Sequence, residues 1–322
     1  LSCLLEKKLK ATLKTYILLD EIQNVTGWQQ AVNDIQDRLD CDIVITLSST
    51  VTLSGSLANE YVELQLFPLS FREFFMGKKT NDNLYQVNTA FREYEHFGGF
   101  PVVALADDFV KDQLLQGIYD AILLNDISIH GSIRDPRVLR LLIEYLTGHS
   151  GEPIQPTLIS RVFKKLFIEV SPHTISRYLV LLENAFLFYQ IPQYNVRTKQ
   201  YLPTASEYSL VDPGLYSLGG RHSSAQQLET IVLTELLRRG YQLAAAKLDN
   251  RVAGFVAREK NKVMDVQTAE STAEIIEKTE ELLRMKDDHQ KVVITRQSGE
   301  FDSVTGILIV NIVDWLLHDV SE

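Results

Sequence analysis

Asp20 and Glu21 are the residues best placed to do chemistry. They follow Tyr16-Ile17-Leu18-Leu19, an apolar run that reads as a buried parallel strand handing two carboxylates to the loop at its C-terminal end. In phosphoryl transfer, one carboxylate in that position holds Mg²⁺ and the other polarises the attacking water. The same chemistry calls for a Gly-rich loop, ending in Lys-Ser/Thr and lying ahead of the acids, to cradle the phosphates. Nineteen residues precede Asp20, none of them is Gly, and the first is Leu1. A strand, phosphate loop and helix take up most of a βαβ unit of roughly 30 residues. The expectation is a phosphoryl-transfer core without its front end. Lys7, Lys8, Lys10 and Lys14 do not replace the cradle, because they are spread along a predicted helix, Leu4–Leu13, and its approach to the strand.

A second set of residues points to binding. Between Ile154 and Gln200, six basic residues (Arg161, Lys164, Lys165, Arg177, Arg197, Lys199) stand against two acids, Glu169 and Glu183. This local excess sits in a chain whose net charge is −10, a balance that argues against nonspecific nucleic-acid binding by the whole surface. The segment reads as a helix over Thr157–Leu166, a short turn, a helix over Ser171–Asn184, and strands over Ala185–Ile191 and Tyr208–Val211. Helix, turn, helix and hairpin outline a winged helix. Ser171-Pro172 supplies an N-cap and a first-turn proline. His173, Ser176 and Arg177 are its exposed early positions, where a recognition helix meets base edges, with Ile175, Tyr178, Leu179 and Leu182 on the buried side. Two readings stay open, contact with double-stranded DNA and a winged helix that packs against protein with its charges solvated.

The remaining elements position these groups. Gly27-Trp28 opens a helix, Asp42–Leu47 is a second buried strand, and Tyr61–Leu66 alternates as a third, so this part reads as the rear half of a parallel α/β core. Phe71 to about His149 is helical, broken by the turn signal Gly98-Gly99-Phe100-Pro101. The last third reads as helix (Gln226–Gly240), strands (Tyr241–Ala245, Val252–Ala257, Lys262–Gln267), helix (Thr272–Met285) and strands (Val292–Thr295, Ile307–Ile312). Ile275, Ile276, Leu282 and Leu283 are expected on one face of that second helix. The 322 residues are 45% hydrophobic and 23% charged, ordinary for a soluble globular protein. Cys3 and Cys41 have neither metal-site nor disulfide spacing, and the seven histidines are scattered. With no membrane-length apolar stretch and no signal peptide, the expected location is the cytoplasm.

Leu18-Leu19-Asp20-Glu21-Ile22-Gln23-Asn24-Val25-Thr26-Gly27-Trp28 resembles the Walker B region of prokaryotic AAA-type P-loop ATPases that carry a C-terminal domain of unknown function. The likeness continues through Phe67-Pro68-Leu69-Ser70-Phe71-Arg72-Glu73-Phe74, Gly98-Gly99-Phe100-Pro101, Tyr178–Leu187, Val211-Asp212-Pro213-Gly214-Leu215 and Leu228–Tyr241. It implies an α/β protein in four parts. These are a partial P-loop (ASCE/AAA-type) parallel sheet over 1–75, a helical lid over 76–135, a winged helix over 136–205, and a restriction-endonuclease-like α/β domain over 206–322. It also implies ATP hydrolysis with Mg and ATP as cofactors. Asp20 and Glu21 would be the Walker B pair, and Asp20 would hold Mg only where a P-loop is supplied.

The departures from the family pattern are chemical. Thr46-Leu47-Ser48 stands where the family has Thr-Gly-Ser, leaving Thr46, Ser48 and Ser49 as sensor candidates. Asn59-Glu60 replaces a Gly-Arg, which puts an acid where a phosphate-stabilising cation belongs. In the nuclease-like part, the fold's metal chemistry uses a helix acid, a strand Asp and an acid-x-Lys. Glu229 suits the first role and otherwise reads as a helix-start charge, but Gly254 stands in place of the Asp, and Gln267-Thr268-Ala269 lacks the Lys. Asp265 shares a strand face with Gln267. The resemblance thus implies a member of the family that neither binds nor hydrolyses ATP by itself. The runner-up is a non-enzymatic DNA-binding or protein-interaction module that uses the winged helix. With the front strand missing, the remaining apolar strands are expected to be exposed, and a polypeptide beginning near Pro136 is expected to behave better.

Overall fold

The computed structural model describes residues 14–48, 61–79, 86–128, 133, 135–218, 222–249, 251–260, 262–297 and 306–318. The expected helix Leu4–Leu13, Ser49, and Asn59-Glu60 lie outside them. The chain divides into two compact units, residues 1–66 with 184–186, and residues 67–183 with 187–322.

In the first unit, β1 (Thr15–Leu19) pairs in parallel with β2 (Cys41–Ile45), in a register running from Thr15 opposite Cys41 to Leu19 opposite Ile45. Helix α1 (Trp28–Arg38) starts at Gly27, whose φ of 73° is one that glycine adopts without strain. It buries Trp28, Val32 and Ile35, and Trp28 and Val32 pack with Ile22, Leu19, Ile43, Ile45 and Leu47. Only one face of the sheet is covered. Tyr16 is 68% exposed and Leu18 77%, so the expectation of a strand buried on both faces is corrected. Alternate side chains point to opposite faces, and among the described residues one helix covers one face.

A second correction concerns Tyr61–Leu66, which is not a strand. It runs without regular structure, and Val62, Leu64 and Leu66 are exposed. Alternation alone does not make a strand, because the backbone groups need a partner edge. The described sheet of this unit has only β1 and β2.

The second unit begins with helices α2 (Phe71–Lys79), α3 (Val87–Phe97), α4 (Pro101–Ala104) and α5 (Asp108–Ala121), followed by a π-helical turn over Ile122–Ser128. Ser70 and Glu73 form a reciprocal cap on α2: the Ser70 N–H donates to Glu73 Oε2 (2.8 Å) and the Glu73 N–H to Ser70 Oγ (3.2 Å). Helices α6 (Pro136–Gly148), α7 (Pro156–Lys165) and α8 (Pro172–Asn184) precede the hairpin of β3 (Phe188–Asn195) and β4 (Gln200–Leu210). Ile154 forms a single antiparallel bridge to Ser206. The rest is α9 (Ser224–Arg238), β5 (Gln242–Leu248), β6 (Arg251–Glu259), β7 (Lys262–Ala269), α10 (Thr272–Arg284), β8 (Gln290–Thr295), β9 (Ile307–Asn311) and α11 (Ile312–Leu317).

The hairpin is not a free-standing wing. Residues 193–195 of β3 pair in parallel with 245–247 of β5, giving one seven-stranded mixed sheet in the order β4-β3-β5-β6-β7-β8-β9. Strand β4 runs through the residue 205/206 position where the sequence places a boundary. Strand alternation divides the core. Phe255, Val266, Val292 and Ile294 face α9, together with Phe71, Phe74, Phe91 and Tyr94 of α2 and α3. Ala244, Ala246, Val256 and Val293 face the other way, with Leu282 of α10 and Met285. On α10, Leu282 is buried and Ile275 packs against that core, whereas Ile276 and Leu283 are exposed. Each of the exposed pair lies one 100° step round the helix from the buried stripe. Among the described residues, no helix is long and apolar enough to cross a membrane.

Candidate functional site

Because β1 and β2 are parallel and in register, they end at the same level, and the next residues, Asp20 and Thr46, lie abreast. The Thr46 hydroxyl donates to Asp20 Oδ1 (2.5 Å) and accepts from the Glu21 N–H (2.9 Å). Glu21 turns the chain in the left-handed region (φ 49°, ψ 46°), a conformation unusual for a non-glycine residue. Gln23 Nε2 donates to Glu21 Oε2 (2.5 Å) and to Ser48 Oγ (2.8 Å). Ser48, Gln23, Glu21, Thr46 and Asp20 therefore form one polar chain across the strand ends, on the exposed rim of the first unit. The candidates Thr46 and Ser48 join the acids, and Ser49 is not described. Gln23, missed as a site residue, lies within the Leu18–Trp28 motif two residues after Glu21. Carboxylate and hydroxyl oxygens at the carboxyl ends of parallel strands make a hard-oxygen donor set, which suits Mg²⁺. Nothing in the 322 residues matches the Gly-rich loop and Lys that hold phosphates.

The helix-turn-helix of the second unit has the expected buried side, with Ile159 and Phe163 of α7 and Ile175, Tyr178, Leu179 and Leu182 of α8. Ser171 caps α8 by accepting from the Thr174 N–H (3.1 Å). Arg161, Lys164, Lys165, His173 and Ser176 are exposed. Arg177 is half-buried, its guanidinium 5.7 Å from the Tyr178 ring centre. Two of the basic candidates sit in the hairpin turn. Arg197 pairs with Asp249 (2.9 Å), so its charge is already met, and Lys199 is exposed with φ 56°.

Of the three nuclease-type positions, Gly254 and Gln267 are adjacent and Glu229 stands apart. Glu229, on α9, sets its carboxyl against Gly151 and lines a small cavity with Ser150, Glu207 and Ser209. This is no helix-start charge in solvent. Burial raises its pKa to about 7, which Lys278 partly offsets. Glu207 is buried beside it and pushed well above the usual range by burial and then by Glu229, with Gln193 partly offsetting the rise. Gln267 shares its strand face with Ala269, which packs on the α10 side of the sheet, away from α9. Gly254 adopts φ 75°, and a Cβ there would come within 2.1 Å of the Val266 carbonyl oxygen. A metal-binding Asp does not fit this backbone. Asp265, fully buried, meets His289 Nδ1 (3.1 Å), and with Asp287 these side chains bring three donor atoms within 4.8 Å of one another. Lys291, opposite Asp265 on β8, places its ammonium 2.5 Å from Asp287 and 3.6 Å from Asp265. That ammonium supplies the positive charge the two acids need.

The separated sequence motifs meet at Asp212. Its carboxylate accepts from the N–H groups of Gly99 (2.7 Å) and Gly214 (2.9 Å). Leu69 N–H donates to the Gly99 carbonyl (2.7 Å), and Tyr94 Oη to the Leu69 carbonyl (3.0 Å). A Cβ on Gly98 would overlap Asp212. The turn over 98–101 therefore wraps a buried carboxylate rather than a phosphate.

Residues 2–75 match a family described as an AAA domain, and residues 88–224 match a domain of unknown function, DUF8612. An uncharacterized protein of Haemophilus influenzae is 41% identical over 320 residues, covering 97% of this chain and 80% of that protein. The chain belongs to that protein's family, and its own residues 2–75 carry the AAA-type match. Another relative, the uncharacterized protein MJ1544 of Methanocaldococcus jannaschii, is 27% identical over 237 residues, which is 70% of this chain and 53% of that protein. For the family, the AAA match implies the use of nucleotide and Mg²⁺.

Proposed function

We propose that the strand-end cluster of the first unit is the Walker B half of an ATP site, with Asp20 as the Mg²⁺ ligand and Glu21 as the carboxylate that polarises water. The observation that carries this reading is the Thr46 hydroxyl, held between the Asp20 carboxylate and the Glu21 amide. It fixes the position of one acid and the turn of the other. Thr46 and Ser48 form the polar rim that would sense the nucleotide. Asp20 would hold Mg²⁺, which would supply positive charge to offset that of the phosphates. These 322 residues contain the acids but no phosphate cradle, so a polypeptide made of them alone leaves ATP unbound and unhydrolysed. The setting is cytoplasmic.

The test is thermal denaturation with and without Mg-ATP, alongside a phosphate-release assay. A ligand at a hundred times its dissociation constant stabilises by about 2.7 kcal/mol, a readily measured shift. We expect neither a shift nor turnover. A saturable shift would overturn the expectation that these residues lack a phosphate cradle, and if Asp20→Asn left that shift unchanged, Asp20 would lose its role as the Mg²⁺ ligand.

A second reading has its own support. Arg161, Lys164 and Lys165 are exposed, and no acid pairs with them among the described residues. His173 and Ser176 stand exposed on the first turns of α8. On this reading the winged helix contacts double-stranded DNA, with Lys164, Lys165 and Lys199 on phosphates and His173, Ser176 and Arg177 towards base edges. Arg197 would have to give up Asp249 to take part. If no duplex is bound, the winged helix is a protein-interaction module.

A further inference from the structure

Phe167 stands at the turn between α7 and α8 in a conformation that bulky residues avoid. Helix α7 ends with Ile168 N–H donating to the Phe163 carbonyl (3.0 Å) and Phe167 N–H to the Lys164 carbonyl (3.1 Å). These two bonds are those of a Schellman motif, whose left-handed position is usually glycine. Helix α9 ends in the same way, with Tyr241 N–H on the Leu236 carbonyl and Gly240, φ 84°, in that position. In α7 the position belongs to a phenylalanine, φ 62°, and the side chain packs on nothing: it is 97% exposed. Leu166 beside it is exposed as well. A large apolar side chain held at a strained backbone position, contributing nothing to the core, is a reason to look for a ligand.

The surroundings name the partner's charge. Arg161, Lys164 and Lys165 occupy i, i+3 and i+4, so they share one helix face, and that face runs into Leu166 and Phe167. Three cations without an acidic partner among the described residues, next to an exposed aromatic on a chain of net charge −10, call for a polyanion with apolar surface between its charges. Duplex DNA has this pattern, with phosphates flanking sugar faces and thymine methyls.

We propose that Phe167 is the apolar anchor of a duplex-DNA contact, seated against sugar or base edges while Arg161, Lys164 and Lys165 neutralise the adjoining phosphates. The inference rests on the DNA reading of the winged helix and adds to it a residue outside the recognition helix. Phosphate contacts set the salt dependence of binding, and apolar burial does not. The two roles are therefore separable in one titration.

The experiment measures binding of the full chain to a labelled duplex by fluorescence anisotropy at several salt concentrations, with melting temperatures recorded in parallel. Phe167→Gly should melt no lower than wild type, because glycine suits the backbone and no packing is lost. It should bind about tenfold more weakly at every salt, with the salt slope unchanged. Lys164→Ala/Lys165→Ala should instead reduce the slope by about 1.8, two phosphates at roughly 0.9 each. If wild type binds and Phe167→Gly binds equally well, the anchor is refuted and the DNA reading stands. If wild type itself does not bind, both fall. Loss of self-association in Phe167→Gly, without loss of DNA binding, would refute the anchor in favour of a second copy of this chain.

Discussion

At the scale of single residues, the buried acids determine how this protein responds to pH. Asp212 and Glu229 each have their pKa raised to about 7, chiefly by burial, from ordinary values of 3.8 and 4.5. Their folded-state values lie above the unfolded ones, so the native protein keeps protons that the unfolded chain releases. The stability this provides is complete below the unfolded values and is lost as pH rises through about 7. Each group contributes a slope of up to about 1.4 kcal/mol per pH unit within that window. We expect the urea midpoint to fall between about pH 5 and pH 8, and Glu229→Gln, which mimics the protonated form, to flatten part of the fall. A midpoint that rises over this range, or a Gln variant with an unchanged slope, would contradict the assignment. Asp212 was legible as part of a motif. Its role was not, because its partners Gly99 and Gly214 include one 113 residues away.

At the scale of elements, strand β6 shows why an aspartate does not fit at Gly254. Gly254 is locked by its left-handed backbone and by the Val266 carbonyl, 2.1 Å from where a Cβ would stand. Gln267 fills the space beside it. Gly254→Asp should therefore destabilise the fold. Strain at such a backbone position costs on the order of 1–3 kcal/mol before the steric overlap is counted, and equilibrium urea denaturation would measure it. A Gly254→Asp protein as stable as wild type would show that the backbone can relax. The sequence expectation of a lost Asp was chemical. The bulged strand that excludes it depends on φ and on a neighbouring strand's carbonyl, neither of which a residue type reports. The same limit explains Tyr61–Leu66, whose alternation has the period of a strand but no partner edge.

At the scale of the whole molecule, two features govern solution behaviour. The uncovered face of β1 and β2 presents Tyr16, Leu18 and Val44 to solvent, and an apolar sheet face of this kind promotes association. A polypeptide of residues 67–322 should therefore be more soluble and less self-associated than the full chain by light scattering. Equal behaviour of the two would show that the exposed strands are harmless. Beginning near Pro136, as the sequence alone suggests, should do worse. Phe71, Phe74, Phe91 and Tyr94 belong to the core that α9 and the seven-stranded sheet build. Loss of a buried aromatic costs about 3–5 kcal/mol each. A folded, soluble 136–322 fragment would overturn that expectation.

Apart from Tyr61–Leu66, the order of the described elements, the acid pair at a strand end, the two successive helices with their buried stripe and the likeness to AAA-type proteins were legible in the sequence. Each rests on local periodicity or on a contiguous motif. Tertiary structure alone decided which groups meet: Thr46 with Asp20 across two strands, Asp212 with the distant Gly99, Arg197 with Asp249, and Lys291 with two acids. It also decided that the hairpin joins the C-terminal sheet, that Glu229 and Gln267 lie apart, and that Phe167 stands in solvent. These outcomes depend on register, backbone handedness and what happens to cover a face. Such quantities are fixed by contacts between residues far apart in the chain, and a pattern of side-chain types along it does not contain them.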